Sequence, residues 1–206
     1  MSNDLVKNGY NKAADSYLKS KRLFRKEKSR NEEYLVKLTG LLKNGSTILD
    51  IGCGSGIPVD KYLVEKGFNV IGVDISERQI ELAREKVPEG RYEVVDMSLL
   101  KQGEYKVDAV VSFYAIFHIP RKVHGKLLKT INSFLPVGGL MLITMGSSDY
   151  EGVEENFHGV RMFWSHYNSD MNRHLVQAAG FEVIIDNVDT HGWERHQVIL
   201  AKKTKE

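Results

Sequence analysis

The sequence lacks several things that would have narrowed its class at once. One cysteine, Cys53, stands in 206 residues. An internal disulfide and a cysteine-built zinc cluster are therefore excluded. No run of about 18 apolar residues occurs, so no segment is expected to span a membrane. The opening stretch "MSNDLVKNGY" has neither the basic start nor the apolar core of a signal peptide, which reads as a cytoplasmic chain. Internal repeats and low-complexity segments are missing too. Charge of one sign is also scarce. The formal net charge is +2, with basic and acidic residues interspersed, and a nucleic-acid binder would carry a basic face. The densest basic run, Lys19 to Arg30, reads either as a solvated helix face or as an anion or partner surface.

What is present suits one soluble domain. Hydrophobic residues make up 42% and charged residues 27%, enough to bury a sizeable core. Residues 1–45 carry Leu23, Phe24, Tyr34, Leu35, Leu38, Leu41 and Leu42 at helical spacing, and this segment is expected to be an N-terminal helical cap. From there strands and helices alternate: strand Thr47–Ile51, a helix from Ile57 to Lys66, strand Phe68–Val73, and a helix from the capping box at Ser76 to Lys86. Strands Tyr92–Val95 and Val107–Ser112 follow, then a helix from Pro120 to Phe134 and strand Leu140–Thr144. The end of the chain holds a helix at Asp170–Ala179 and strands Phe181–Asp186 and Gln197–Ala201, the last two without a helix between them. This order predicts an α/β fold with a doubly wound, mostly parallel, seven-stranded sheet and an antiparallel last strand. The predicted division is a core over 46–145, an insertion over 146–168 with no clear period, and a C-terminal helix and hairpin over 169–206.

In such a sheet ligands bind beyond the carboxyl ends of the strands. There the first strand ends in "ILDIGCGSG", with glycines at Gly52, Gly54 and Gly56. Glycine permits positive φ and lets a ligand lie against bare backbone. A dinucleotide fingerprint needs its third glycine where Ile57 stands, and no Gly-Lys-Ser/Thr of a P-loop is present. Asp50 precedes the glycines, where a carboxylate repels a pyrophosphate and attracts an ammonium and a sulfonium. Asp74 ends the second strand, placed to accept hydrogen bonds from ribose hydroxyls. After the third strand, Asp96 and the Met97 N–H suit an adenine edge.

With these residues on the page, the chain resembles the class I S-adenosylmethionine-dependent methyltransferases. It is most similar to the small-molecule group around ubiquinone and menaquinone biosynthesis. The resemblance runs through "ILDIGCGSG", "VIGVDIS", "YEVVDMS", "DAVVSFYAIFHI", "LLKTINSFLPVGGLMLI" and "LVQAAGFEVI". It implies S-adenosylmethionine as cofactor, leaving as S-adenosylhomocysteine. It also implies that Asp50, Gly52, Cys53 and Gly54 line the methionine part, Asp74 the ribose, and Ile75, Asp96 and Met97 the adenine. Ser112 and Phe113 floor the pocket under the sulfonium, and an N-terminal segment closes over it. "GYNKAADSY" is similar to that segment, with Tyr10 and Tyr17 either cofactor contacts or ordinary helix packing.

Methyl transfer from a sulfonium is an in-line displacement, so alignment and exclusion of water suffice unless the acceptor arrives protonated. No catalytic triad or metal set is needed, and neither is found. His118 reads either as a base or substrate contact, or as a packed histidine; His166 is the other weak catalytic candidate. For the acceptor side Tyr114, Phe157, His158, Arg161, Phe163, Trp164, His166 and Tyr167 are candidates, or else the core of a lid. His191, Trp193 and His196 are possible neighbours at the last hairpin. Cys53 is either a reactive thiol at a helix N-terminus or a small residue under the cofactor. The expected partner is a small-molecule acceptor, with no nucleic acid and no membrane, the chain being a monomer or homodimer. Two alternatives remain: a binding or regulatory protein that keeps the pocket without catalysis, and an NAD(P)-dependent oxidoreductase, which Ile57 and Asp50 disfavour.

Overall fold

A computed structural model describes residues 2–23, 30–190 and 195–205 of the chain. The core sheet takes its five parallel strands from the first part of the sequence: β1 (Thr47–Ile51), β2 (Asn69–Asp74), β3 (Arg91–Val94), β4 (Ala109–Ser112) and β5 (Leu140–Gly146). Outside it lie β6 (Tyr150–Phe157) and β7 (Val160–His166), and β8 (Phe181–Asp189) and β9 (His196–Lys203) complete it. The order across the sheet is β3-β2-β1-β4-β5-β9-β8. β9 runs antiparallel to β5, and β8 antiparallel to β9 at the edge, as the missing crossover helix requires.

β4 and β5 are buried along their whole length, which is why they read as apolar runs and not as alternating strands. Side chains from the two faces enter separate cores. Leu49, Ile51, Val110, Met141 and Ile143 meet Leu127, Leu128 and Ile131 of α5 (His124–Phe134) and Val176 of α6 (Ser169–Ala178). Ile48, Val70, Val111 and Leu142 meet Leu35 and Leu38 of α2 (Arg30–Thr39) and Leu63 of α3 (Val59–Glu65). Each such aliphatic side chain contributes roughly 1.5–3 kcal/mol on burial. The serine half of the expected capping box is present: Ser76 Oγ accepts from Gln79 N–H at 3.1 Å and opens α4 (Glu77–Lys86), while the Ser76 N–H donates to Asp74 instead of to Gln79.

Two local expectations need correction. The helix after Pro120 begins at His124, with a single 3₁₀ turn, Arg121–Val123, between them. The section over 146–168 was expected to lack regular structure, and instead β6 and β7 pair antiparallel as a separate two-stranded sheet. The hairpin turns on His158 and Gly159, which have φ of 51° and 86°, the positive pair of a type I′ turn. Its first strand, "YEGVEENF", is exposed at most positions, so no buried face imposes the alternation by which a strand is recognised in a sequence. His191, Trp193 and most of the basic run after Leu23 lie outside the described residues. Among the described residues no helix is long and apolar enough to cross a membrane.

Candidate functional site

The glycine turn leaves β1 at the place where the strand order reverses. Gly52 and Cys53 donate their N–H groups to the Val73 carbonyl at 2.7 and 3.1 Å, fastening the turn to β2. Gly52, Gly54 and Gly56 all have positive φ, of 79°, 57° and 72°. Their reasons for being glycine differ. A Cβ on Gly52 would collide with the Ala115 side chain, and one on Gly56 would press on the Tyr92 hydroxyl and Val87 at 3.2 Å. At Gly54 a Cβ would meet nothing nearer than Gln79 at 3.7 Å, so the bare backbone there is open to a ligand.

Carboxylates surround this turn. Asp50 is buried at the end of β1, 2% exposed. Asp74, half-buried at the end of β2, accepts from Gly54 N–H at 3.0 Å and Ser76 N–H at 2.9 Å. It thereby ties the second strand's end to the glycine turn. Burial first, and then the charges of Asp60, Asp74 and Asp50, push the Cys53 thiol well above its ordinary value. Cys53 packs with Ile80, Ala83, Val87 and Tyr92. Ser112 is buried with its hydroxyl committed to the Ile51 carbonyl at 2.7 Å, joining β4 to β1. Phe113 packs in the core on the α2 and α3 face of the sheet.

The N-terminal helix α1 (Ser2–Leu23) crosses above these strand ends. Asn3 donates to Asp96 at 2.7 Å and to Ser98 at 2.9 Å, while Asp96 caps the 3₁₀ turn Met97–Leu99 through Ser98 N–H. Asn11 accepts from the Ser76 hydroxyl at 2.6 Å and from Arg78 N–H, and donates to Glu77. Ile75 lies half-buried between these contacts. Further along α1, Gly9 lies so close to β7 that a Cβ would sit 2.9 Å from the Met162 methyl and 3.1 Å from the Arg161 carbonyl.

α1 and the hairpin meet in a cluster of rings. The Tyr10 hydroxyl lies 2.7 Å from His118 Nε2, and His118 Nδ1 lies 2.8 Å from the Phe163 carbonyl. A carbonyl only accepts, so Nδ1 carries the proton, Nε2 accepts, and Tyr10 donates. Burial pushes His118 down to about 4. His118 is thus a neutral, buried histidine with both nitrogens engaged. Tyr17 packs on Phe157 at 5.8 Å and on His158 at 5.4 Å, and Trp164 lies against His118 at 4.4 Å and Phe117 at 5.2 Å. Phe157 and Trp164 therefore pack between α1 and the hairpin, with exposed His158 at the edge against Tyr17. Arg161 is exposed and pairs with Glu155 across the hairpin. Tyr167 lies under the Arg121 guanidinium at 5.1 Å. Tyr114 holds a positive φ of 56°, rare for a bulky residue, and its ring meets His196 edge-on at 4.9 Å. His196 in turn stacks on Phe117 at 5.3 Å. Among the described residues, no three His, Cys, Asp or Glu side chains gather to hold a metal ion.

A family model described as a methyltransferase domain matches residues 22–185. The chain belongs to that family. Phosphoethanolamine N-methyltransferase 2 of Caenorhabditis elegans is 32% identical over 60% of this chain and 29% of its own length. Human glycine N-methyltransferase is 29% identical over 60% of this chain and 49% of its own. The chain thus spans half or less of the curated relatives it matches here. Among solved structures, the magnesium protoporphyrin IX methyltransferase of Synechocystis with S-adenosylhomocysteine bound superposes with a TM-score of 0.76 at 15% identity. It covers 99% of this chain and 100% of that one. A Burkholderia thailandensis 1,6-didemethyltoxoflavin-N1-methyltransferase gives a TM-score of 0.68 at 20% identity, covering 93% and 87%. These two likenesses concern the fold.

In this methyltransferase domain, several residues about the site escaped the sequence reading. Asn3, Gly9 and Asn11 fasten α1, yet a lone Asn or Gly inside a polar helix carries no signal of its own. Phe117 is 2% exposed and touches His118, Trp164, His166 and His196. Its place immediately before His118, in the loop after β4, was the available hint. Gly146 ends β5 directly beneath the His166 ring.

Proposed function

We propose that the protein binds S-adenosylmethionine at the glycine turn and transfers its methyl group to a small-molecule acceptor held beneath the hairpin. The observation that carries this reading is Asp74. Its carboxylate spans from the Gly54 N–H to the start of α4, beside the one glycine of the turn that is open to a ligand. A ribose there meets a carboxylate acceptor, and an amino acid sulfonium lies against bare backbone in the neighbourhood of buried Asp50. When bound, the cofactor supplies an already activated methyl group on a positive sulfur. The chain's part is then to align acceptor and methyl and to exclude water. α1 and the hairpin supply that exclusion, joined through Tyr10, His118 and Phe163.

The acceptor side is lined by rings, with Tyr114, Phe117 and His166 nearest the strand ends. Arg161 and Arg121 are both paired with acidic residues of the hairpin or its approach. A small, uncharged or amine-bearing acceptor fits this better than a polyanion. The names of the relatives, which act on phosphoethanolamine and glycine, support an amine. A cytoplasmic chain acting as a monomer or homodimer, without nucleic acid, completes the reading. Incubation with methyl-labelled S-adenosylmethionine and a panel of amines and phenols tests it. Label transferred to a small molecule is expected. Label retained on the donor across a metabolite extract, with donor binding intact, would instead favour a regulatory protein.

A further inference from the structure

We propose that His166 takes the proton from the methyl acceptor, so that the acceptor is an amine or hydroxyl that arrives protonated. The proposal deepens the methyltransferase reading above and rests on it. Three observations about His166 carry it. Its Nδ1 is hydrogen-bonded to the Ser148 carbonyl, which fixes the Nδ1–H tautomer and leaves the lone pair on Nε2. The ring lies directly over Gly146, where any Cβ would overlap it. Gly146 is itself fixed: it ends β5 paired with His196, and its carbonyl accepts from the buried Asn172 amide at 2.7 Å. The imidazole is therefore seated at the carboxyl end of a central strand, beside the end of β4, where a ligand of this fold binds.

Its surroundings suit the task. Phe117 at 6.5 Å and Tyr150 at 5.8 Å wall the ring, and His166 is half-buried, so a proton taken up can leave to solvent. Of the other described histidines nearby, His118 uses both nitrogens, His124 is buried at the start of α5 with Nε2 on the Ile119 carbonyl, His158 sits exposed at the hairpin tip, and His196 is stacked on Phe117 with its edge to Tyr114. In the step, the acceptor's N–H or O–H proton passes to Nε2, and the nitrogen or oxygen lone pair forms the new bond to the methyl carbon. The carbon–sulfur bond breaks with its electron pair left on sulfur, giving the neutral thioether and an imidazolium.

Long-range proton–nitrogen correlation on histidine-labelled protein saturated with S-adenosylhomocysteine tests the geometry without any acceptor. At about pH 8.5, His166 is expected as Nδ1–H with a bare Nε2, assigned by its loss in His166→Asn. An Nε2–H tautomer would overturn the proposal. If S-adenosylhomocysteine does not bind, the cofactor reading fails while the tautomer is still read. With glycine, phosphoethanolamine and catechol as probes, His166→Asn is expected to lower any wild-type methyl transfer roughly 100-fold or more, with S-adenosylhomocysteine affinity unchanged. Transfer at the wild-type rate would overturn the proposal. The tautomer decides where no probe is methylated.

Discussion

On one side of the site the glycine turn is held by main-chain groups, with Gly52 and Cys53 bonded to Val73 and Gly54 to the Asp74 carboxylate. On the other side the hairpin is held by side chains: Tyr10 on His118, His118 on the Phe163 carbonyl, and rings on rings around Phe117 and Trp164. Main-chain anchoring fixes the spacing of the residues, so one glycine pattern can be read directly. Side-chain anchoring tolerates many sequences, so the hairpin shows only as a stretch rich in aromatics.

The contrast can be broken most strongly at Gly52. Gly52→Val places a branched Cβ at positive φ and against Ala115, and is expected to cost about 2–5 kcal/mol in urea unfolding. A loss under about 1 kcal/mol would mean that the turn yields. Acid acts on the opposite half. Burial pushes His118 and His124 down to about 4 from 6.5, so both stay neutral when folded while the unfolded chain takes up protons. Their contribution is present above pH 6.5 and is lost as pH falls toward 4, about 3 kcal/mol for each group. His118 acts at the junction of the hairpin with α1 and His124 at the start of α5, and hydrogen exchange across this window is expected to show these elements opening before β1 and the glycine turn. Simultaneous opening would erase the distinction.

Smaller changes sharpen it. Asp74→Ala is expected to weaken S-adenosylhomocysteine binding by about 1.5–3 kcal/mol, the scale of hydrogen bonds to a charged group. Unchanged affinity in a calorimetric titration would remove Asp74 from the ribose. Tyr10→Phe leaves His118 Nε2 without its donor and is expected to cost about 1 kcal/mol, a fall of roughly 2–4 °C in melting temperature.

Most of the fold was legible because its central strands are buried on both faces and its helices carry capping and stop signals, as at Ser76 and Gly67. The proposed cofactor residues Asp50, Asp74 and Ser112 were legible because each sits at a strand end. The hairpin was not. Glu151, Glu154 and Glu155 keep β6 wet on both faces, and a strand without a buried face leaves no period. The roles of Asn3 and Asn11 depend on α1 packing across α4, and Gly146 is explained only by the imidazole above it. Such long-range contacts have no local trace.

The central claim is that the glycine turn and Asp74 form a site for an adenosyl amino acid and not for a dinucleotide. Calorimetric titration of the protein with S-adenosylhomocysteine, and in parallel with NADH, tests it most directly. Saturable binding of S-adenosylhomocysteine with no heat from NADH is the predicted result, and tight NADH binding without an S-adenosylhomocysteine response would contradict it.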